Sequence, residues 1–170
     1  MPDNGAVSIH ASDPFATPED QRSPVRRLRG RLPAAVTLWT ANPSVGLTVS
    51  STLVVDGDPG RVVGLVDDES DLWPVLESSG RFTVTLLSAD DQQLADRFAG
   101  LMPAPGGLFA TGDWRQTDWG PVKPDRTWAG CRFDGARPLG WSLLVEGTIE
   151  HIDIEEAGAP LIHERGRYRR

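Results

Sequence analysis

The sequence predicts a mainly β protein, a small β-barrel of six or seven strands with short helices. Segments rich in β-branched residues recur along the chain, and clusters of Pro, Gly, Asn and Asp separate them. Helical patterns are short. The 170 residues fit one domain. We expect residues 1–23 to be a mobile N-terminal arm without apolar periodicity, and residues 24–170 to form the domain.

The first part of the domain predicts a short helix, a β-hairpin and a buried strand. Residues 25–32 predict one or two helical turns. Residues 35–41 and 45–55 are rich in β-branched side chains, and Asn42-Pro43-Ser44 supplies the turn between them. Residues 61–67 are almost continuously apolar, which is typical of a strand buried on both faces.

Two more short helices are predicted on either side of a further strand. Residues 70–79 predict a helix whose first residue is its cap. Residues 81–87 alternate between apolar and polar side chains, as in a half-buried strand. Ser88-Ala89-Asp90-Asp91 resembles a capping arrangement, and Leu94 and Phe98 form one buried stripe after it.

Residues 101–128 predict a long loop, because Pro, Gly and Trp are frequent there and no period is sustained. Its tryptophans, Trp114, Trp119 and Trp128, either anchor the loop to the body or a partner subunit, or stack on a ligand. The last strands are predicted at 128–133, 141–153 and 160–164, with a turn at 135–140.

Charge, hydropathy and cysteine content exclude several classes of protein. Seventeen basic and 24 acidic residues give a net charge of -7, a poor match to nucleic acid. No apolar run is long enough to span a membrane. The single Cys131 cannot form an intramolecular disulfide, and the N-terminus does not resemble a signal peptide, so we expect a cytoplasmic protein.

Arginines are concentrated near the two ends of the chain, whereas residues 32–164 contain 8 basic and 20 acidic residues. Such runs either face solvent or form an anion pocket for phosphates, since guanidinium groups bind phosphate in a bidentate manner. The two groups are Arg22, Arg26, Arg27, Arg29 and Arg31, and Arg165, Arg167, Arg169 and Arg170.

Several common catalytic motifs are absent from the sequence. No two glycines are separated by one residue, which excludes a G-x-G-x-x-G dinucleotide fingerprint, and the single Lys123 cannot complete a P-loop. His10, His151 and His163 have no spacing that suits a metal site. Cys131 is expected to be a small core residue.

Six segments in the same order resemble the flavin reductase family with its FMN-binding split barrel, over residues 24–168. They are Arg31-Leu32-Pro33-Ala34-Ala35-Val36-Thr37-Leu38-Trp39-Thr40, Gly46-Leu47-Thr48-Val49-Ser50-Ser51, Asp58-Pro59, Ser79-Gly80-Arg81-Phe82-Thr83-Val84, Leu94-Ala95-Asp96-Arg97-Phe98-Ala99-Gly100 and His163-Glu164-Arg165-Gly166-Arg167-Tyr168.

This resemblance implies a homodimer that binds FMN or FAD near the subunit interface. It implies hydride transfer from NADH or NADPH to the flavin, which carries the chemistry, so no catalytic side chain is expected. Reduced flavin can then leave for a flavin-dependent monooxygenase. The residues implied in cofactor binding are Thr40, Ala41, Asn42, Thr48, Val49, Ser50, Ser51 and Ser70, together with His163, Arg167 and Tyr168 of the C-terminal motif.

Two other interpretations of the same residues stay open. The hydroxyls of Thr48, Ser50 and Ser51 also fit a strand that presents them to solvent, and the tryptophans fit a structural dimer.

A non-catalytic split-barrel protein that binds flavin or another flat cofactor is the alternative function. Gly140-Trp141-Ser142 favours it, because many family members have Gly-Asp-His there. Val54 and Asp56 replace serines common in the family, and Thr85 replaces an asparagine.

Overall fold

The computed structural model of the chain describes Gln21 and residues 23–156 and 158–169. The predicted N-terminal arm lies almost entirely outside the described residues. The fold is mainly β, as predicted. The helices are α1 (Pro24–Gly30), α2 (Leu72–Ser79) and α3 (Gln92–Phe98), and the strands are β1 (Ala34–Ala35), β2 (Thr37–Ala41), β3 (Val45–Val49), β4 (Leu53–Val55), β5 (Arg61–Val66), β6 (Arg81–Leu86), β7 (Arg115–Gln116), β8 (Pro121–Val122), β9 (Trp128–Leu139), β10 (Ser142–Asp153), β11 (Ile162–Glu164) and β12 (Arg167–Arg169).

The main sheet has seven antiparallel strands in the order β3-β2-β6-β9-β10-β5-β4. Its ladder does not close into a complete barrel, so β3 and β4 are its two edges. The chain between these strands, residues 50–52, bridges toward β5, where the Leu65 N–H donates to Ser51 Oγ at 2.9 Å. This side-chain hydrogen bond links β5 to the end of β3, although the two strands are not paired in the sheet.

The inner core lies within this curved sheet. Trp39 of β2 is fully buried and stacks on Phe82 of β6, with ring centroids 4.8 Å apart. Gly64 of β5 lies against the same indole, and a Cβ atom there would be 2.8 Å from Trp39 Cη2. Leu72 and Leu76 of α2 complete this core. The sheet approaches Trp39 this closely because residue 64 has no side chain.

A second core covers the other face of β2 and β6. It contains Val36, Leu38, Leu87, Ala95, Phe98 and Leu161, with Tyr168 packed against it. One prediction about β6 was wrong, because the Pro121 segment also packs there: Thr40 Oγ1 bonds both Thr83 Oγ1 and Pro121 O. Residues 82–85 of β6 are all buried, although alternation had predicted a half-buried strand.

Other boundaries also differ from the prediction. Residues 45–55 form two strands, because β3 pairs with β2 whereas β4 pairs with β5. Residues 61–67 alternate in burial along β5, so that strand is not buried on both faces. The N-cap of α2 is Asp71, since the Ser70 hydroxyl donates instead to Asp67 O at 2.6 Å.

The predicted turn at 135–140 is also wrong. β9 continues to Leu139 because β10 pairs with it along its whole length, and the chain turns at Gly140 and Trp141. The predicted capping arrangement at 88–91 is confirmed, since Ser88 and Asp91 form a reciprocal capping box before α3. Arg126 adds two hydrogen bonds to the Asp91 carboxylate, at 2.7 and 3.0 Å.

The loop at 101–128 contains one small hairpin, β7–β8, and its tryptophans pack on the body. Trp114 contacts Phe98 and Phe109, with centroids 5.6 and 4.7 Å apart. Trp119 and Trp128 both pack on the ring of His151. These contacts support the anchoring interpretation of the tryptophans. Among the described residues, no helix has the length and apolarity needed to cross a lipid bilayer.

Candidate functional site

The connection at residues 50–52 is the centre of the candidate site. It lies between the β3 ladder, which ends at Val49, and the β4 ladder, which begins at Leu53. The backbone N–H groups of 50–52 therefore take part in neither ladder, and they make no loop hydrogen bond to the backbone of the described residues. Ser50 is exposed and Ser51 is half-buried. These hydroxyl and N–H groups are donors of the kind that the ribityl and phosphate oxygens of a flavin require.

A chain of buried hydrogen bonds fixes this connection. Trp39 Nε1 donates to Thr52 Oγ1 at 3.0 Å, and Thr52 Oγ1 lies 2.8 Å from Thr37 Oγ1. Thr37 Oγ1 donates to Val49 O at 2.7 Å. Since that bond uses the Thr37 proton, Thr52 must donate to Thr37. The core tryptophan thus determines the position of the segment that carries Ser50 and Ser51.

Ser70 and Trp141 lie in one direction from Ser51. The Ser51 hydroxyl bonds the backbone of Leu65, and Leu65 pairs with Leu144 of β10. Trp141 is three residues before Leu144, about 10 Å along the strand. Ser70 follows the end of β5, in a segment that also contains the acidic residues Asp67, Asp68, Glu69 and Asp71. We call this side of the site the acidic end.

The C-terminal motif, residues 163–168, lies against β1, which precedes Thr37 in the chain. β1 pairs with β11 so that Ala34 is opposite His163, and His163 pairs with Tyr168 of β12. Burial, and to a smaller extent the nearby charge of Arg29, hold the pKa of His163 below its usual value. Burial and the carboxylate of Asp96 raise the pKa of Tyr168.

Two arginine groups that are far apart in sequence meet beside this motif. The Arg165 N–H donates to Gly30 O at 2.6 Å, which joins the end of α1 to the β11–β12 turn. Arg169 pairs with Glu164 at 2.6 Å. The other described arginines of the two groups make no ion pair with a described residue. We call them the basic face: Arg26, Arg27, Arg29, Arg31, Arg165 and Arg167.

The other predicted site residues are used in packing. Thr40 is fully buried and its Oγ1 bonds Thr83 Oγ1 and Pro121 O, at 2.5 and 2.6 Å. Ala41 and Val49 lie in the inner core. Asn42 donates to Thr117 O at 2.9 Å, at the opposite end of the β2–β3 hairpin from Ser51.

Thr48 also makes a structural contact, since its hydroxyl donates to Ala95 O of α3 at 2.7 Å. Of the predicted set, Ser50 and Ser51 lie in the connection, and His163, Arg167 and Tyr168 lie together on β11 and β12, whereas the Ser70 hydroxyl donates to Asp67 O beyond the end of β5. Sequence reasoning missed Thr37 and Thr52, whose roles depend on the register of two strands. The Ser-Ser-Thr run gave a weak signal for Thr52.

These features define a class of protein, a mainly β protein with short helices and a hydroxyl-rich connection at one edge of its sheet. Comparison with known proteins specifies the class further. The family described as "Flavin reductase like domain" matches residues 29–170. The chain therefore belongs to the flavin reductase-like family, which confirms the resemblance seen in the sequence and the predicted function of a flavin-reducing oxidoreductase.

Individual relatives agree with this assignment. The reductase component of 4-hydroxyphenylacetate 3-monooxygenase from Thermus thermophilus is 30% identical over 74% of this chain and 78% of its own. An NADH:FMN oxidoreductase from Rhodococcus qingshengii is 30% identical over 97% and 94%. The structure of the NADH:FAD oxidoreductase SgcE6 from Streptomyces globisporus C-1027 has the same fold, with a TM-score of 0.79, 24% identity and coverage of 91% and 95%.

Proposed function

We propose that the protein is an NAD(P)H-dependent flavin reductase that binds FMN or FAD at residues 50–52. The observation that carries this proposal is a connection, fixed from the core, whose N–H groups and Ser50 hydroxyl have no partner among the described residues, in a chain of this family. Relatives named as NADH:FMN and NADH:FAD oxidoreductases support the choice of donor and flavin.

The chemical roles divide between ligand and protein. Bound flavin supplies the hydride acceptor, so this chain needs no nucleophile or general base. Ser50, Ser51 and the N–H groups beside them hold the polar groups of the flavin, and the basic face offsets phosphate charge. The Trp39–Thr52–Thr37 chain keeps these donors in position, which aligns the flavin with its hydride donor.

We infer that the protein is a homodimer with the β4 edge in its interface. Leu53, Val54 and Val55 of this edge strand are 66%, 67% and 48% exposed, and Ile152 nearby is 56% exposed. Val54, Val55 and Ile152, with the turn before β5, line a cleft of about 520 Å³. An exposed apolar edge strand is a surface that a second copy can cover by pairing with it.

The reduced flavin is proposed to leave for a monooxygenase. Two relatives are named as reductase components, of 4-hydroxyphenylacetate 3-monooxygenase and of a resorcinol hydroxylase described as FADH(2)-dependent. The site is compatible with release, because Ser50 is exposed and residues 50–52 form a connection at the surface rather than an enclosed cavity.

The alternative function is a flavin carrier or sensor without catalysis. One observation favours it, the indole of Trp141 at the position where many family members have an acid followed by histidine. Such a protein would bind flavin and leave NADH and NADPH unoxidised. Its test is the same as that of the reductase.

The first experiment is the visible spectrum of the protein after incubation with FMN and desalting. A reductase that retains flavin shows its two bands, which bleach when NADH or NADPH is added without oxygen. If no flavin is retained, donor oxidation that depends on added FMN still supports the reductase. Flavin that stays oxidised with both donors supports the carrier, and neither binding nor turnover refutes both.

Ser51→Asp tests the position of the site. A carboxylate at residue 51 can still accept the Leu65 N–H, so the fold is expected to persist while the charge repels the FMN phosphate. The matched control is Ser78→Asp, on the exposed surface of α2. Unchanged FMN affinity in Ser51→Asp would place the phosphate elsewhere.

A further inference from the structure

Trp141 is an unusual residue of this fold, because its side chain is fully exposed, at 102% of the reference area. It lies in the turn between β9 and β10, after Gly140, whose φ of 59° suits a residue without a side chain. A tryptophan is rarely left wholly in water, since its ring is a large apolar surface. The rest of this chain, as far as the structure describes it, provides no cover for the indole.

The position of Trp141 relates it to the candidate site. The turn extends from the part of β10 that pairs with the end of β5, where Leu143 is opposite Val66 and Leu144 is opposite Leu65. Leu65 is the residue that bonds Ser51. β10 and the connection at 50–52 flank β5, so Trp141 and this connection lie at the same end of the sheet.

Charge determines which part of a flavin can lie near Trp141. The acidic end contains Asp67 and Asp68, which would repel a phosphate, whereas an uncharged ring is not repelled. The basic face lies on the other side of the connection, beyond Thr37 and Ala34. A flavin held at Ser50 and Ser51 is thus oriented by the protein, with its phosphate toward the arginines.

We propose that the indole of Trp141 stacks on the isoalloxazine ring of the flavin, whose phosphate points toward the basic face. This inference rests on the proposed function and adds a residue and an orientation to its site. Aromatic residues commonly bind flat heterocycles by stacking, which needs no hydrogen bond and no acidic or basic group. The indole is fully exposed, so it can cover the ring without entering the core.

The test compares Trp141→Ala with Trp141→Phe and with Leu139→Ala. Leu139 lies beside the same turn and is 45% exposed, so its truncation removes apolar area but no ring. The measurement is the dissociation constant of FMN and of lumiflavin, which has the ring without the ribityl phosphate, from the quenching of flavin fluorescence. Wild-type protein is measured first for FMN binding and for FMN-dependent donor oxidation.

Trp141→Ala is expected to weaken FMN and lumiflavin by the same factor, about tenfold to a hundredfold, as for loss of a stacked ring. Trp141→Phe should stay within about threefold of wild type, and Leu139→Ala should leave both constants unchanged. Arg167→Ala should weaken FMN but not lumiflavin. That difference tests the orientation separately from the stacking.

Two results would overturn the inference while the reductase stands. If Trp141→Ala binds both flavins as the wild type does, but has a higher KM for NADH, the indole contacts the donor. If the affinities are unchanged and sedimentation shows dissociation in both Trp141→Ala and Leu139→Ala, a second copy covers the turn. If wild-type protein neither binds FMN nor oxidises a donor in its presence, the proposed function itself fails.

Discussion

Thr52→Val tests whether the core positions the flavin-binding connection. Valine has nearly the same shape as threonine but has no hydroxyl. The substitution leaves Trp39 Nε1, in a fully buried residue, without its acceptor at 3.0 Å, and removes the bond to Thr37. Thr37 keeps its bond to Val49 O, so the loss is confined to one unsatisfied donor and one hydrogen bond.

The magnitude follows from these two losses. A buried donor left unsatisfied costs about 1–3 kcal/mol, and a net hydrogen bond contributes about 1 kcal/mol. We therefore expect Thr52→Val to lower the free energy of unfolding by about 2–4 kcal/mol in urea denaturation. FMN affinity should fall as well, since the connection carries Ser50 and Ser51.

Thr52→Ser is the matched control, because it keeps the hydroxyl and loses one methyl group. It should retain most of the stability and FMN affinity. A double-mutant cycle with Trp39→Phe isolates the pair, and a coupling energy near zero would refute the proposed chain of bonds. Equal stability of Thr52→Val and Thr52→Ser would do the same.

Three further predictions concern the fold. Burial raises the pKa of Asp91, but the hydrogen bonds and charge of Arg126 together with the hydrogen bonds of Ser88 outweigh it and hold this pKa below its usual value. The Asp91–Arg126 pair therefore stabilises the protein above about pH 4, and the contribution is lost as pH falls. Arg126→Ala should cost about 2 kcal/mol at pH 7 and less in acid, measured by urea denaturation. Gly64→Ala should cost about 1–3 kcal/mol in the same assay, because its Cβ meets Trp39. The raised pKa of Tyr168 favours its neutral form in the folded state, so stability should fall as pH rises above about 10, and Tyr168→Phe should reduce that fall.

The elements predicted well from sequence are those that local chemistry determines. The turn at Asn42-Pro43-Ser44 joins β2 to β3 as expected, and Gly80 ends α2 in the left-handed conformation. The capping box of Ser88 and Asp91 begins the turn before α3. In each case the signal and the structure lie within a few residues of each other.

The wrong predictions depend on pairing between distant segments. Residues 82–85 are all buried because β2 and the Pro121 segment pack against β6, where Thr40 Oγ1 bonds both Thr83 Oγ1 and Pro121 O. Alternation within the strand carries no information about that cover. β9 passes Gly135 and continues because β10 pairs with it beyond that glycine. The glycine favours a turn locally, but pairing along the whole β9–β10 ladder keeps the strand extended.

The candidate site also combines residues that a local motif predicts with contacts that only the fold creates. Ser50 and Ser51 were predicted from their motif, but the bonds that fix them come from Thr37, Trp39 and Thr52, which only the register of β2 and β3 brings together. The two arginine groups were recognised in the sequence as separate features. Their meeting at Gly30 and Arg165 required the fold.

The charge distribution explains how an acidic protein can accept an anionic cofactor. With a net charge of -7, the protein as a whole repels FMN at long range. Residues 32–164 contain 20 acidic and 8 basic residues, so the basic face is a local reversal of sign. Within about a Debye length of the surface, near 10 Å in ordinary buffers, the local charges determine the potential. The joining of α1 to the β11–β12 turn brings the two arginine groups together. In the proposed orientation of the flavin, this basic face attracts its phosphate, although the protein as a whole is acidic.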